Sequence, residues 1–376
     1  MNSSSSVVVV GAGIVGVTTA LVLQAAKYNV SIVSEHSALD SDSQLSKAWS
    51  SPYAGANWTP FAKNDDPFMQ EIELRSLRFL EKIADSFPES TVKRIFSSLY
   101  YSAENYKEPW FVKQLDGVSY IPRHKLPENV DIGLEFKTVI LNAPEYLKWI
   151  TGLYISRGGI IHKAKLSFLG QAIDFAPKQE NSTPIVVNCA ALGNLYLSDV
   201  KDDSMFPARG QTLLVKAPNV TKTVANIDVM SYVIPRGNGT VIVGGTYQEG
   251  NWTPTPDPET ANNILIEALK ICPQLVDETT PTKPQNMSSR IGMLSSRIIA
   301  QNVGLRPARK EGVCNQTSSV PNPYFGIGSN SLSNLQDIPV VHNYGHGGYG
   351  YQTSWSFAYN SLAFVNKLSQ NLHSKL

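Results

Sequence analysis

The stretch Val7-Val8-Val9-Val10-Gly11-Ala12-Gly13-Ile14-Val15-Gly16 decides the fold. A run of β-branched apolar residues reads as a strand, and a G-x-G-x-x-G turn follows it at once. Gly11 permits the tight turn, Gly13 lets backbone approach a pyrophosphate, and Gly16 lets the next helix pack on the strand. That helix, expected from Val17-Thr18-Thr19-Ala20-Leu21-Val22-Leu23-Gln24, turns its first amides and the positive end of its dipole toward the phosphates. A second β-like run, Val30-Ser31-Ile32-Val33-Ser34, leads to Glu35, nineteen residues beyond Gly16. A carboxylate there accepts hydrogen bonds from ribose hydroxyls. The pattern predicts an adenine dinucleotide and does not separate NAD from FAD. The competing reading is an ordinary strand-turn-helix of some other α/β protein.

The chain has 376 residues, which suits two domains or one domain with a large insertion. Hydrophobic content of 42%, charged content of 17% and a net charge of +1 describe a globular chain with no call for nucleic acid or an anionic membrane as partner. Cys189, Cys272 and Cys314 are far apart and odd in number, which argues against a disulfide framework and a zinc site. The apolar run Val7-Val8-Val9-Val10 is too short to span a membrane. Residues 1–6 lack a basic region, so no signal peptide is expected, and the sequons at Asn57 and Asn251 are read as chance. The final Ser374-Lys375-Leu376 matches the peroxisomal address. It predicts the peroxisome matrix, the import receptor as partner, and chemistry that a cell confines, such as peroxide production.

Residues 7–34 read as β-α-β and residues 35–65 as polar loop, with small residues around Ser50 and Ser51 that let backbone approach a flat ligand. Helices are expected over 67–87, 144–157, 258–272 and from about Thr353, and short aromatic strands over 94–143. A strand following a crossover is expected over 158–162, and a buried strand ending in small residues over 184–193. Hairpins are expected from Gln211 to Gly250, around a Gly237-Asn238-Gly239 turn. A strand over 338–343 leads into a glycine turn at 345–350. His342 and His346 bracket that strand end and turn, so they are read as structural, and no metal site is expected.

Four constellations carry chemistry: Val303-Gly304-Leu305-Arg306-Pro307-Ala308-Arg309, the run from His342 to Gln352, Ser231-Tyr232-Val233-Ile234-Pro235-Arg236 with the Gly244-to-Trp252 stretch, and Ala208-Arg209-Gly210-Gln211-Thr212. With Ser51-Pro52-Tyr53-Ala54-Gly55-Ala56-Asn57-Trp58-Thr59-Pro60, and in this order along nearly the whole chain, they resemble D-amino-acid oxidase of the fungal kind. The resemblance implies FAD, held non-covalently. It also implies an α/β fold in which a Rossmann-like FAD-binding domain (1–65, 145–210 and 300–376) is interleaved with a mostly antiparallel β substrate domain (66–144 and 211–299). The family forms dimers, so a homodimer is an expectation.

Carried over residue by residue, the resemblance assigns catalytic roles to Tyr232, Tyr247, Arg306 and Gln352. It assigns cofactor binding to Gly11, Ala12, Gly13, Ile14, Val15, Gly16, Glu35, His36, Ser50, Ser51, Gly55, Asn57, Leu166, Cys189, Arg306, Gly347, Gly348, Gly350, Tyr351 and Gln352. Arg306 would hold the substrate carboxylate through its planar fork, while the Tyr232 and Tyr247 hydroxyls donate to it and their rings exclude water. The implied reaction passes hydride from a D-amino acid to FAD, with oxygen reduced to hydrogen peroxide. Backbone amides at 347–350 would then stabilise charge on the reduced flavin. Tyr247 stands where D-aspartate oxidases carry an extra arginine, so neutral D-amino acids are favoured. Pro52-Tyr53 departs from the Pro-Trp usual in yeast members, and the His346-Gly347-Gly348-Tyr349 turn is closer to the animal form. The alternatives are a D-aspartate oxidase, a sarcosine- or glycine-oxidase-like flavoprotein, a nicotinamide dehydrogenase and a non-enzymatic flavin binder.

Overall fold

The computed structural model describes residues 6–40, 49–178, 184–276, 286–327 and 335–373, so Ser374-Lys375-Leu376 lies outside the described residues. The chain forms two units. The first comprises Met1–Pro52, Leu147–Ala208 and Arg306–Leu376, and the second comprises Tyr53–Tyr146 and Arg209–Leu305. Residues 53–65, expected with the first unit, pack in the second. The reason is backbone pairing: Trp58 N donates to Val139 O and Leu141 N to Ala56 O, both at 3.0 Å. Gly55 and Asn57 therefore belong to the second unit.

The first unit is built on a sheet whose order, among the described residues, is Cys314–Pro321, Asp337–Tyr344, Ile185–Asn188, Ser6–Val10, Asn29–Ser34 and Ile160–Lys163. All neighbours are parallel except Cys314–Pro321 with Asp337–Tyr344. Ser6–Val10 is central, and Val7, Val8 and Val9 are wholly buried. A strand covered on both faces needs an unbroken apolar run rather than alternation. Each such side chain contributes about 1.5–3 kcal/mol by leaving water. The strand's neighbours lie on opposite sides, Asn29–Ser34 and Ile185–Asn188. Its carboxyl end is thus a topological switch point, where open α/β sheets form a crevice for ligands. The helices Ile14–Ala25 and Gly350–His373 pack together against this sheet.

The second unit is a mixed sheet of mainly antiparallel pairs. Its order runs Gln248–Glu249, Met205–Lys216, Thr240–Gly244, Ser231–Pro235, Thr223–Asn226, Lys93–Tyr101, Ile132–Ile140 and Ser119–Tyr120, and Ile298–Arg309 pairs with Met205–Lys216. The helix Pro258–Ile271 covers one face. Its Ile264, Leu265 and Ala268 pack on Leu213, Val215, Val233 and Val243. Both long helices of this unit start by the same device, an aspartate cap followed by proline. Asp66 accepts from Met69 N at 3.0 Å, and Asp257 accepts from Thr260 N at 2.7 Å.

Candidate active site

The first glycine turn leaves no room for side chains. Gly11 has φ +106°, and a Cβ there would lie 2.5 Å from the Cys189 carbonyl oxygen. A Cβ on Gly16 would collide with the Gly11 carbonyl oxygen, so the helix sits at closest approach to the turn. At Gly13 the nearest atoms to such a Cβ are Ser51 Oγ at 3.1 Å and Trp49 Nε1 at 3.5 Å, and no backbone closes that side. The turn is pinned from below. Ala12 N donates to Ser34 Oγ at 3.1 Å, whose hydroxyl donates to the His36 carbonyl at 2.9 Å. Ile14 N donates to Ser51 Oγ at 3.2 Å. Glu35 then stands exposed at the end of Asn29–Ser34, with Lys165 Nζ at 3.7 Å, an exposed pair that contributes little. Its carboxylate is accessible to ribose hydroxyls.

Cys189 braces the turn through its backbone, and its thiol is tied to Thr19. Its amide donates to Val10 O at 2.9 Å and its carbonyl abuts Gly11. Burial pushes its thiol up to about 12, so it is no nucleophile. Leu166 packs against the apolar cluster of Val8, Val10 and Val186.

The second glycine turn meets the first within the same unit. Gly347 N donates to Pro307 O at 2.9 Å, and Ala308 bridges to His346, which brings the Arg306 strand alongside the turn. A Cβ on Gly348 would lie 3.3 Å from Arg306 Cδ and 3.5 Å from its Nε, so the arginine stem lies over that glycine. Gly350 faces Ile14 and Val15, 3.4 and 3.6 Å from their methyls to its missing Cβ. Tyr351 Oη donates to Ser51 O at 3.0 Å. The last helix begins at Gly350, not at Thr353 as expected, so Tyr351 and the buried Gln352 belong to its first turn. Glycine accepts the helical conformation as readily as the turn, which hides the boundary.

His342 and His346 are both buried and do not converge on a metal. Among the described residues, no three His, Cys, Asp or Glu side chains gather as a metal site. His342 lies 2.7 Å from Ser318 Oγ and 3.2 Å from Asn188 Nδ2. His346 Nε2 lies 3.0 Å from Asn343 Oδ1, whose amide nitrogen donates to Thr19 Oγ1 at 3.1 Å. Burial pushes His342 down to about 4 and His346 to about 3. Both rings are neutral ties between strand, turn and helix.

Tyr232 and Tyr247 belong to the second unit. Tyr232 pairs in register with Gly244, and its ring fills the space a Cβ on Gly244 or Gly245 would take. The Gly-Gly sequence is thus the seat of that ring. Gly245 N donates to Met230 O at 3.1 Å, and Tyr247 beyond it is 38% exposed. Gly55 is pressed against Ile234, whose Cδ1 would lie 2.8 Å from a Cβ. Asn57 Nδ2 donates to Thr59 Oγ1.

Three polar groups of this unit carry no role in the sequence reading beyond motif membership. Arg209 is buried and donates to the carbonyls of Thr253 at 2.8 Å and Thr255 at 2.6 Å, so the Arg-Gly-Gln-Thr motif is a structural clamp. Arg236 is buried, with Nη2 3.4 Å from the Ala54 carbonyl. Glu73 is fully buried. Its carboxyl accepts from Phe61 N and Ala62 N at 3.2–3.4 Å, and its carbonyl receives Trp58 Nε1 at 3.0 Å. Burial pushes it up to about 8, against the pull of those amides. The only sequence signal for it is an acid within the apolar face of the helix Pro67–Ser86.

The first unit's residues suit an adenine dinucleotide: two glycine turns that pack on one helix start, the carboxyl end of the central strand, and an exposed acid at the end of the next strand. The family model for FAD-dependent oxidoreductases (DAO) matches residues 6–359. The chain is 31% identical to a D-amino-acid oxidase of Fusarium vanettenii, covering 99% of this chain and 100% of that one. It is 29% identical to a D-aspartate oxidase of Cryptococcus neoformans var. grubii, covering 99% of both. Among solved structures, a glycine oxidase from Bacillus cereus superposes with a TM-score of 0.67 at 18% identity, over 97% of this chain and 96% of that one. That likeness shows the fold.

Proposed function

The chain belongs to the FAD-dependent oxidoreductase family, and from that premise we propose that it oxidatively deaminates neutral D-amino acids of the D-alanine kind to 2-oxo acids and ammonia. The observation that carries the reading is the placement of Arg306. Its stem lies over Gly348, in the turn that packs on the phosphate-gripping helix. An arginine fork fixed beside the cofactor turn suits a substrate whose carboxylate must be held bidentately next to the reacting carbon. FAD, when bound, would supply the two-electron redox chemistry that couples oxidation of the substrate Cα–H to reduction of oxygen to hydrogen peroxide.

The protein's own task is position and charge. Arg306 holds the carboxylate, and Gln352 lines the first turn of the last helix. The amides of Gly347 and Tyr349 are already committed, to Pro307 O and His346 O. The stabilising dipoles of that turn therefore come from Gly348 and Gly350. Neutral substrates are favoured because Tyr247 occupies the Gly244-Gly245-Thr246-Tyr247 turn and Arg236 is turned onto the Ala54 carbonyl.

Anaerobic addition of D-alanine to the purified yellow protein should bleach its visible spectrum, and L-alanine should not. Bleaching by L-alanine, or by neither, overturns the reading. Oxygen uptake faster with D-aspartate than with D-alanine would move the assignment to the acidic class. Where Ser374-Lys375-Leu376 close the natural chain, they direct the protein through the import receptor to the peroxisome. A fluorescent fusion with and without them tests that.

A further inference from the structure

Trp49 carries a shielded donor with no acceptor among the described residues. Its Nε1 is closed off from solvent and makes no hydrogen bond to any described residue, whereas buried indole N–H groups nearly always find a partner. The same nitrogen lies 3.5 Å, and Cδ1 4.0 Å, from where a Cβ on Gly13 would stand. The N–H edge of the indole therefore lies beside the face of Gly13 that a side chain would occupy, next to Ser51 Oγ, where the pyrophosphate of a dinucleotide would approach. The ring is held there by a stacked contact with His36, with centroids 6.1 Å apart and planes at 28°. His36 directly follows the ribose-facing Glu35. Two amides of the turn are already spoken for, Ala12 N by Ser34 Oγ and Ile14 N by Ser51 Oγ. A pyrophosphate in this cradle thus needs donors other than those amides.

We propose that Trp49 is a phosphate-binding residue of the cofactor site, whose indole N–H donates to a pyrophosphate oxygen of FAD. The ring meanwhile stays stacked on His36 beside the ribose. The donor is uncharged and cannot ionise, so its contribution holds across the pH range in which phosphates stay anionic. The proposal rests on FAD as the resident cofactor and adds a residue to its grip.

The test compares FAD binding to wild-type apoprotein, to Trp49→Phe, and to a protein carrying 3-benzothienylalanine at position 49, which replaces the N–H by sulfur and keeps the ring shape. Binding is followed by the quenching of flavin fluorescence, and apoprotein stability by thermal unfolding. A hydrogen bond to a charged acceptor predicts a Kd for FAD raised about tenfold or more in both variants, with the apoprotein melting temperature unchanged. Wild-type affinity in either variant overturns the proposal. So does weakened binding that tracks a loss of apoprotein stability, since that marks a packing role. If Trp49→Phe fails to fold, the sulfur isostere alone decides. Failure of the wild-type apoprotein to bind FAD would overturn the cofactor itself, a separate outcome.

Discussion

Replacing Glu73 with Gln should remove most of the fall in stability between pH 5 and pH 8. The Glu73 carboxyl is fully buried, and burial pushes it from 4.5 up to about 8. In the unfolded chain it ionises near its ordinary value. Across the interval the unfolded chain has therefore released a proton that the folded chain keeps. The folded state binds more protons, so stability falls as pH rises from about 4.5 to about 8. Each pH unit costs about 1.4 kcal/mol, and the whole interval about 5 kcal/mol as an upper bound. In a unit of roughly 200 residues, 1 kcal/mol moves the melting temperature by about 2–4 °C. Relative to Glu73→Gln, the wild type should lose about 3–5 °C per pH unit between pH 5.5 and 7.5. Groups common to both proteins cancel in that difference. Glutamine keeps a carbonyl oxygen for the Phe61 and Ala62 amides, so the variant should fold and should be the more stable protein at pH 8. Thermal unfolding from pH 5 to 8.5 with saturating FAD measures it. Parallel pH profiles would refute the reasoning, because they would mean that Glu73 ionises in the folded protein as it does in the unfolded chain.

The acid side should behave in the opposite sense. His342 and His346 are pushed down to about 4 and about 3 by burial, while the unfolded chain takes up protons near 6.5, so stability is lost as pH falls below 6.5. His346→Gln should reduce that acid-side slope, by up to about 1.4 kcal/mol per pH unit in urea unfolding between pH 4.5 and 6.5, and an unchanged slope would show that the ring titrates in the fold as it does in the unfolded chain. Arg306→Lys should lower kcat/KM for D-alanine about 10–100-fold, through loss of the bidentate fork, while the flavin spectrum of the resting enzyme stays unchanged; a loss below about threefold would remove Arg306 from the carboxylate. Gly16→Ala drives a methyl into the Gly11 carbonyl and should cost about 1–3 kcal/mol, read as weaker FAD binding together with a lower apoprotein melting temperature.

The features legible in the chain are those whose physical demand is local. Gly11, Gly13 and Gly16 each answer a constraint set within a few residues, so the turn, its strand and its helix stand where the spacing puts them. Val7 to Val10 carry their own reading too, since only a central strand tolerates such a run. The features that escaped are those whose partner lies elsewhere. Residues 53–65 read as polar loop continuing the first unit. Their home is decided by the hydrogen bonds of Ala56 and Trp58 to the strand Ile132–Ile140 and its end, which nothing in 53–65 announces. Glu73 has a helix-compatible position and an ordinary side chain. Its burial follows from amides twelve residues upstream that only the fold delivers. Arg306 lies between the two cases. Its motif marks it as unusual, yet its purpose depends on Gly348, a glycine that reads as turn chemistry until the arginine stem is found lying on it. A glycine-rich segment thus carries two kinds of information: conformational freedom, which spacing reveals, and space left for another group, which appears only once that group's position is known.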